Sequence, residues 1–297
     1  MQRSIPVMMI APDRLEELFD RADRVLARLE NLLPGTQPPP DWNAAVAFRW
    51  RKRGTQGWLQ PVTKPHPIRL ADIETVDEQK ARIVANTRQF VAGHGANNVL
   101  LTGARGCGKS SLVKAVLNEF AADGLRLIEV DKDDLIDLPD IVELLQGRPE
   151  RFILFCDDLS FEAGETAYKA LKSVLDGSVA APPDNVLIYA TSNRRHLMPE
   201  YMAENLEQHR VGEEIHPGEA IEEKISLSER FGLWISFYPF SQDDYLAVFA
   251  HWAAVLGVPA AVIAASEREA LNWALARGSR SGRVAWQFAR DLAGRQP

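Results

Sequence analysis

Eight consecutive residues have the types and the spacing to hold a polyphosphate: Gly103, Ala104, Arg105, Gly106, Cys107, Gly108, Lys109 and Ser110. They satisfy G-x-x-x-x-G-K-[ST] in full. Backbone N–H groups can wrap dense negative charge only where the chain turns tightly, and glycine takes such turns without steric penalty. Lys109 can reach the outer phosphates of ATP or ADP, and the Ser110 hydroxyl can ligate Mg²⁺. Ser111 is placed with them as a nucleotide contact. Further on, Asp157 and Asp158 close an apolar run. Asp157 would hold Mg²⁺ through its waters, and Asp158 would orient or deprotonate the attacking water. Asn193 is the candidate for positioning that water near the γ-phosphate. Arg230 could reach a phosphate in an adjacent subunit and stabilise charge developing in transfer. Either Arg280 or Arg283 could point back to the nucleotide, and Arg283 is preferred because it opens the last helix.

Such groups must be carried by particular elements. Val99, Leu100 and Leu101 read as a buried strand before the glycine-rich turn. Leu112, Val113, Val116, Leu117 and Phe120 repeat at helical spacing after it, so a positive helix N-terminus faces the same point. Phe152 to Cys156 is the strand that delivers the two carboxylates. Leu125–Val130, Val186–Ala190 and Leu233–Phe237 are further strands. Leu135 to Leu145, interrupted or restarted by Pro139, and Thr166 to Leu175 are helices. This alternation predicts a parallel sheet with helices on both faces. After Pro239 the pattern is helical over 241–256, 259–277 and 281–293, and Ser241 with Asp244 resembles a helix cap.

The 297 residues are 46% hydrophobic and 25% charged, with a net charge of −7. That is an ordinary globular composition. An acidic surface argues against a protein that coats duplex DNA, although a local basic patch stays open. The two cysteines, Cys107 and Cys156, lie inside the nucleotide motifs and lack metal-ligand spacing. The apolar run from Val7 to Ala11 is too short for a signal core or a membrane span, so a cytoplasmic protein with no membrane contact is expected.

Before the phosphate motif, 12–33 reads as an amphipathic helix and Pro38-Pro39-Pro40 as a stiff spacer. In 47–59, Phe48 and Trp50 alternate with Arg49 and Arg51, Lys52 and Arg53 continue the charge, and Gly54 and Gly57 permit a hairpin. This stretch, with Trp58, is either a single-strand nucleic-acid contact, a small sheet with a basic outer face, or a docking edge. The glutamate-rich 198–228 reads as a long surface loop.

GARGCGKS, FILFCDD, YATSN, LSERFG and GSRSGR stand in the order of the AAA+ ATPases, and resemble Walker A, Walker B, sensor 1, the arginine finger and sensor 2. More narrowly, the wording from Leu70 to Leu292 resembles a bacterial AAA+ family catalogued only as a domain of unknown function. The resemblance implies an α/β fold: a five-stranded parallel sheet with helices on both faces, then a small α-helical lid. It implies ATP with Mg²⁺, assembly of like subunits into rings or arcs, and an adenine contact near Val76 and Asp77. Most members carry Glu where this chain has Asp158, which leaves ATP binding intact and slows water activation. The organisation expected is an N-terminal extension over 1–67, a nucleotide-binding domain over 68–238 and a lid over 239–297. The expected activity is ATP hydrolysis that drives remodelling or loading of a protein or nucleic-acid client. The alternative is a slow nucleotide-gated assembly, contacting single-stranded nucleic acid through the basic segment.

Overall fold

The computed structural model describes residues 21–25, 40–54, 56–161, 165–177, 183–194, 197, 209–211, 214–216 and 227–296. Of the helix expected over 12–33, only 21–25 is described, and it is helical. The rest of that stretch and most of 198–228 lie outside the described residues. Within the latter, His209–Val211 pairs antiparallel with Glu214–His216.

The strands are β1 (Ala47–Arg53), β2 (Gln56–Pro61), β3 (Val99–Gly103), β4 (Leu125–Glu129), β5 (Arg151–Cys156), β6 (Val186–Ser192), the small pair β7 (His209–Val211) and β8 (Glu214–His216), and β9 (Leu233–Phe237). Helices α1 (Asp77–Val91), α2 (Lys109–Phe120), α3 (Leu138–Leu145) and α4 (Thr166–Asp176) connect them. Then follow α5 (Gln242–Val255), α6 (Ala260–Ala265), α7 (Glu267–Ala276) and α8 (Gly282–Gly294).

The sheet has seven strands in the order β2-β1-β4-β5-β6-β3-β9, where five were expected. The five are present, and all of their pairings are parallel. The two extra strands are the basic hairpin. β1 pairs antiparallel with β2 and parallel with β4, so it covers what would have been an open edge.

Alternate residues of the central strands feed two cores, as a two-residue side-chain period requires. Val99, Leu101, Ile153, Phe155 and Tyr189 join one cluster, and Leu100, Phe152, Leu154, Cys156 and Ile188 join the other. The first also takes in Phe249, Phe288 and Leu292 from the C-terminal helices. Pro139 restarts the chain as α3 after a 3₁₀ segment over Lys132–Asp137. The helix expected over 259–277 is two helices, α6 and α7, meeting at Ser266. Ser241 caps α5 through a reciprocal pair of bonds with Asp244.

Candidate nucleotide site

The loop between β3 and α2 takes its shape from three glycines with left-handed φ: Gly103 at 131°, Gly106 at 76° and Gly108 at 92°. Gly108 is the residue from which α2 starts. Gly103 is doubly constrained, because a Cβ there would lie 1.9 Å from the Phe237 carbonyl oxygen on β9. Arg105 is exposed at the turn, Ala104 and Ser111 are half-buried, and Cys107 is buried with its thiol 3.2 Å from the Tyr238 carbonyl. Burial pushes the Cys107 thiol above its ordinary range, against the pull of Lys109. That disfavours the thiolate form.

The Lys109 ammonium is buried and donates to Gly103 O at 2.8 Å, Ala104 O at 2.8 Å and Asn193 Oδ1 at 3.0 Å. Its three donors are thus turned onto the concave side of the loop. Burial lowers its pKa from the ordinary lysine value, opposed by Cys107, Asp158 and Asp157. Ser110 Oγ donates to Asp157 Oδ1 at 2.6 Å. A hydroxyl and a carboxylate at that separation are hard oxygen donors, and Mg²⁺ binds through few such protein ligands plus waters and phosphates. The donor set therefore fits Mg²⁺ alongside a nucleotide. Among the described residues no three His, Cys, Asp or Glu cluster as an all-protein metal cage.

Beside Asp157, Asp158 sits at φ 52°, a conformation that aspartate tolerates better than most side chains. Its carboxylate accepts from Asn193 Nδ2. Asn193 therefore bridges Lys109 and Asp158 and does not merely cap the turn before Arg194. Thr191, which sequence reasoning passed over, ties the two acids together. Its hydroxyl donates to Asp157 Oδ1 at 2.6 Å and accepts from the Asp158 N–H at 2.9 Å. Its only signal in sequence is its place two residues before Asn193.

The C-terminal helices reach this loop directly. Gly282 N–H donates to Gly106 O at 2.8 Å, and Ser281 packs so closely that a Cβ on Gly106 would be 2.8 Å from its Cβ. Arg280 and Arg283 are both exposed; the Cβ of Arg283 would lie 3.8 Å from the same added carbon, whereas Arg280 is not among the close contacts of Gly106. Arg230 pairs with Asp176 at the end of α4. Val76 is buried in the core, and Asp77 is exposed and bonded to Lys80 at 2.9 Å. Thr75, just before them, carries a φ of 66° and a buried hydroxyl with no hydrogen-bond partner among the described residues. For a β-branched residue that is a strained conformation, and nothing in the sequence marked it.

The basic hairpin is a correction. Phe48 and Trp50 are buried at 0% and 4% exposure. Arg49 pairs with Glu129 at 2.7 Å, Arg51 with Asp131 at 3.4 Å and Lys52 with Asp137 at 2.6 Å. Rings inside the core cannot stack on bases, and these cations already face carboxylates. Of the single-strand contact expected through Arg49, Trp50, Arg51 and Trp58, Trp50 is sealed in the core and Arg49 and Arg51 are paired, while Trp58 is half-buried and Arg53 exposed; the hairpin is first of all a sheet edge.

A mostly parallel sheet with a glycine-rich loop after β3 and paired carboxylates after β5, backed by a helical layer, is the AAA+ P-loop fold. Residues 43–296 match the family described as "Protein of unknown function (DUF815)", and the chain belongs to that family. Solved structures with the same fold include an arginine-to-alanine variant of Thermotoga maritima RuvB, at 15% identity and a TM-score of 0.51. That match covers 75% of this chain and 63% of the other, so the chain spans less than two thirds of the relative's length. The Thermotoga maritima RuvB Holliday junction branch migration motor matches at 16% identity over 75% of this chain and 63% of that one, with a TM-score of 0.47. A DNA replication initiation factor matches at 12% identity over 76% and 64%, with a TM-score of 0.46. No curated protein matches the sequence. No described helix is long and apolar enough to cross a membrane.

Proposed function

We propose that this chain binds ATP with Mg²⁺ between the β3–α2 loop and the start of α8, hydrolyses it, and uses the cycle to remodel or load a macromolecular client. The observation that carries the reading is the Lys109 ammonium, held by two loop carbonyls and Asn193 with the Ser110–Asp157 pair beside it. A buried ammonium held inside a glycine-rich loop, once released from those acceptors, would be a receptor for outer phosphate oxygens. When bound, Mg²⁺ would supply charge neutralisation on the β- and γ-phosphates, held by Ser110 and Asp157. Lys109 would turn from the carbonyls to the phosphates. Asn193 and Asp158 would orient the attacking water and take its proton. Val76 and Asp77 would border the adenine, and Arg283 would reach the phosphates from the C-terminal helices, acting as a lid over 239–297. Arg230, rather than remaining with Asp176, would complete the site of a neighbouring subunit in a ring or arc.

Calorimetry with ATP and Mg²⁺ tests the binding. Wild type gives saturable heat, and Lys109→Ala gives none. Absence of heat with folded wild type overturns the reading. Asp158→Asn retains ATP and loses roughly a hundredfold or more in turnover, the scale of general-base loss. Arg230→Ala lowers turnover at protein concentrations where subunits associate; equal rates there remove the shared-site part.

A second reading is favoured by Asp158 itself. Its side chain is one methylene shorter than glutamate and already engaged by Asn193. Turnover would then be slow, and ATP would act mainly to hold an assembly together. Steady-state ATPase measurements decide between the two, since fast basal turnover removes the slow gate.

A further inference from the structure

A second group of indoles and guanidiniums lies on the C-terminal helices, away from the hairpin. Trp273 and Arg277 end α7, and Trp286, Gln287, Arg290 and Asp291 lie on α8. Together they line one open cleft of about 480 Å³. Arg277 stacks on the Trp273 ring at 3.6 Å, and Arg290 lies over the Trp286 ring at 5.0 Å. Neither arginine has an ion pair among the described residues. Asp291, the one acid in the cleft, is taken by Arg295. The Trp273 Nε1–H is buried with no acceptor among the described residues, and Trp286 is 36% exposed. The local charge also differs from the whole: residues 239–297 hold six arginines and five acids in a chain of net charge −7.

A guanidinium stacked on an indole keeps its N–H edge outward, ready for an anion. An exposed indole offers a flat apolar face. A single nucleic-acid strand alternates anionic phosphates with flat bases, so it uses both kinds of group. An acidic peptide would use only the arginines and leave the indoles unserved. A duplex keeps its bases stacked inside and would likewise leave them unused. We infer that the cleft between α7 and α8 binds single-stranded nucleic acid, with bases against Trp286 and phosphates against Arg277 and Arg290. The inference stands apart from the nucleotide site, since none of these six residues belongs to it.

The test is fluorescence anisotropy of the full-length protein with labelled oligo-deoxythymidylate and oligouridylate. A duplex of equal length and a polyglutamate peptide run beside them. Either oligonucleotide binds at low salt, and both controls bind at least tenfold more weakly. Trp286→Ala weakens binding about tenfold, within the range that base–aromatic stacking supplies. The Arg277→Gln, Arg290→Gln double variant flattens the dependence of log K on log salt by about 1.4, at roughly 0.7 for each phosphate released. Circular dichroism confirms that both variants fold. Arg49→Gln with Arg51→Gln, in the hairpin, leaves binding unchanged, and so does Lys109→Ala without nucleotide. Binding by Lys109→Ala thus survives even if the ATP reading fails. The inference is overturned if no oligonucleotide binds at low salt, if polyglutamate or duplex binds as tightly, or if the cleft variants bind like wild type.

Discussion

In the β1–β2 hairpin Trp50 is 4% exposed, whereas on α8 Trp286 is 36% exposed, although both stand among arginines in the sequence. The hairpin indole packs against Gly57, where an added Cβ would be 1.9 Å from its ring, and its Nε1–H donates to Asp137 at 3.1 Å. Arg49, Arg51 and Lys52 are matched by acids from β4 and the segment after it. On α7 and α8 the cations are matched by rings instead. Aromatic and basic residues in alternation therefore say little about binding until their partners are known. A carboxylate partner makes the cluster part of the scaffold. A ring partner leaves the charge facing outward.

The largest expected effect breaks the scaffold side. Trp50→Ala removes a buried ring and should destabilise the protein by about 3–5 kcal/mol, the range for large-to-small core changes. Trp286→Ala should stay within about 1 kcal/mol, as partly exposed surface changes do. Urea unfolding of the two variants measures both; comparable losses would erase the distinction. Gly57→Ala comes next, at about 1–3 kcal/mol, because the new methyl meets the Trp50 ring and forces repacking. Wild-type stability in that variant would mean that the indole is not seated as described.

Smaller still is Arg277→Gln with Arg290→Gln. Each exposed cation–π contact is worth about 0.5–1 kcal/mol, so the thermal midpoint should move by only a few degrees. A loss on the scale of Trp50→Ala would make these arginines structural. The smallest effect is a titration. The hydrogen bond that Lys52 donates to Asp137, with the charge of that carboxylate, raises the Lys52 pKa from its ordinary value of 10.5. A cation with a raised folded-state pKa contributes fully below the unfolded value, and the contribution fades as pH rises through the folded one. The Lys52 side-chain carbon resonance should titrate above 10.5 in wild type and shift down in Asp137→Asn. A midpoint at the ordinary lysine value in wild type would dissolve the pair. Arginine stays charged across that range, so the α7–α8 cleft should show no such step.

The phosphate loop was legible because its chemistry is written in consecutive residues. The same holds for the apolar runs Val99–Leu101 and Phe152–Cys156, since strands buried on both faces carry no polar interruption. Asn193 was legible as a candidate, but its bridge between Lys109 and Asp158 was not, because those partners come from the start of α2 and the end of β5. Thr191 was hidden for the same reason. The hairpin was read correctly as two strands, yet its fate depended on Glu129, Asp131 and Asp137, which lie 80 to 85 residues from the cations they meet. The count of strands failed with it, because pairing with β4 is a long-range choice that local pattern does not encode. Ser266 split one apolar run into two helices without any glycine or proline to mark the break.

One bond described above has mechanical weight. The amide that opens α8 is tethered to the Gly106 carbonyl, and the helix beyond it runs 13 residues. At about 1.5 Å per residue such a rod is roughly 20 Å long, so a pivot of about 10° at the tether swings its free end by about 3 Å. Trp286 rides one turn from the fulcrum and Arg290 two. A shift of the loop at Gly106 would therefore be felt, through this tether, at the α8 side of the indole cleft.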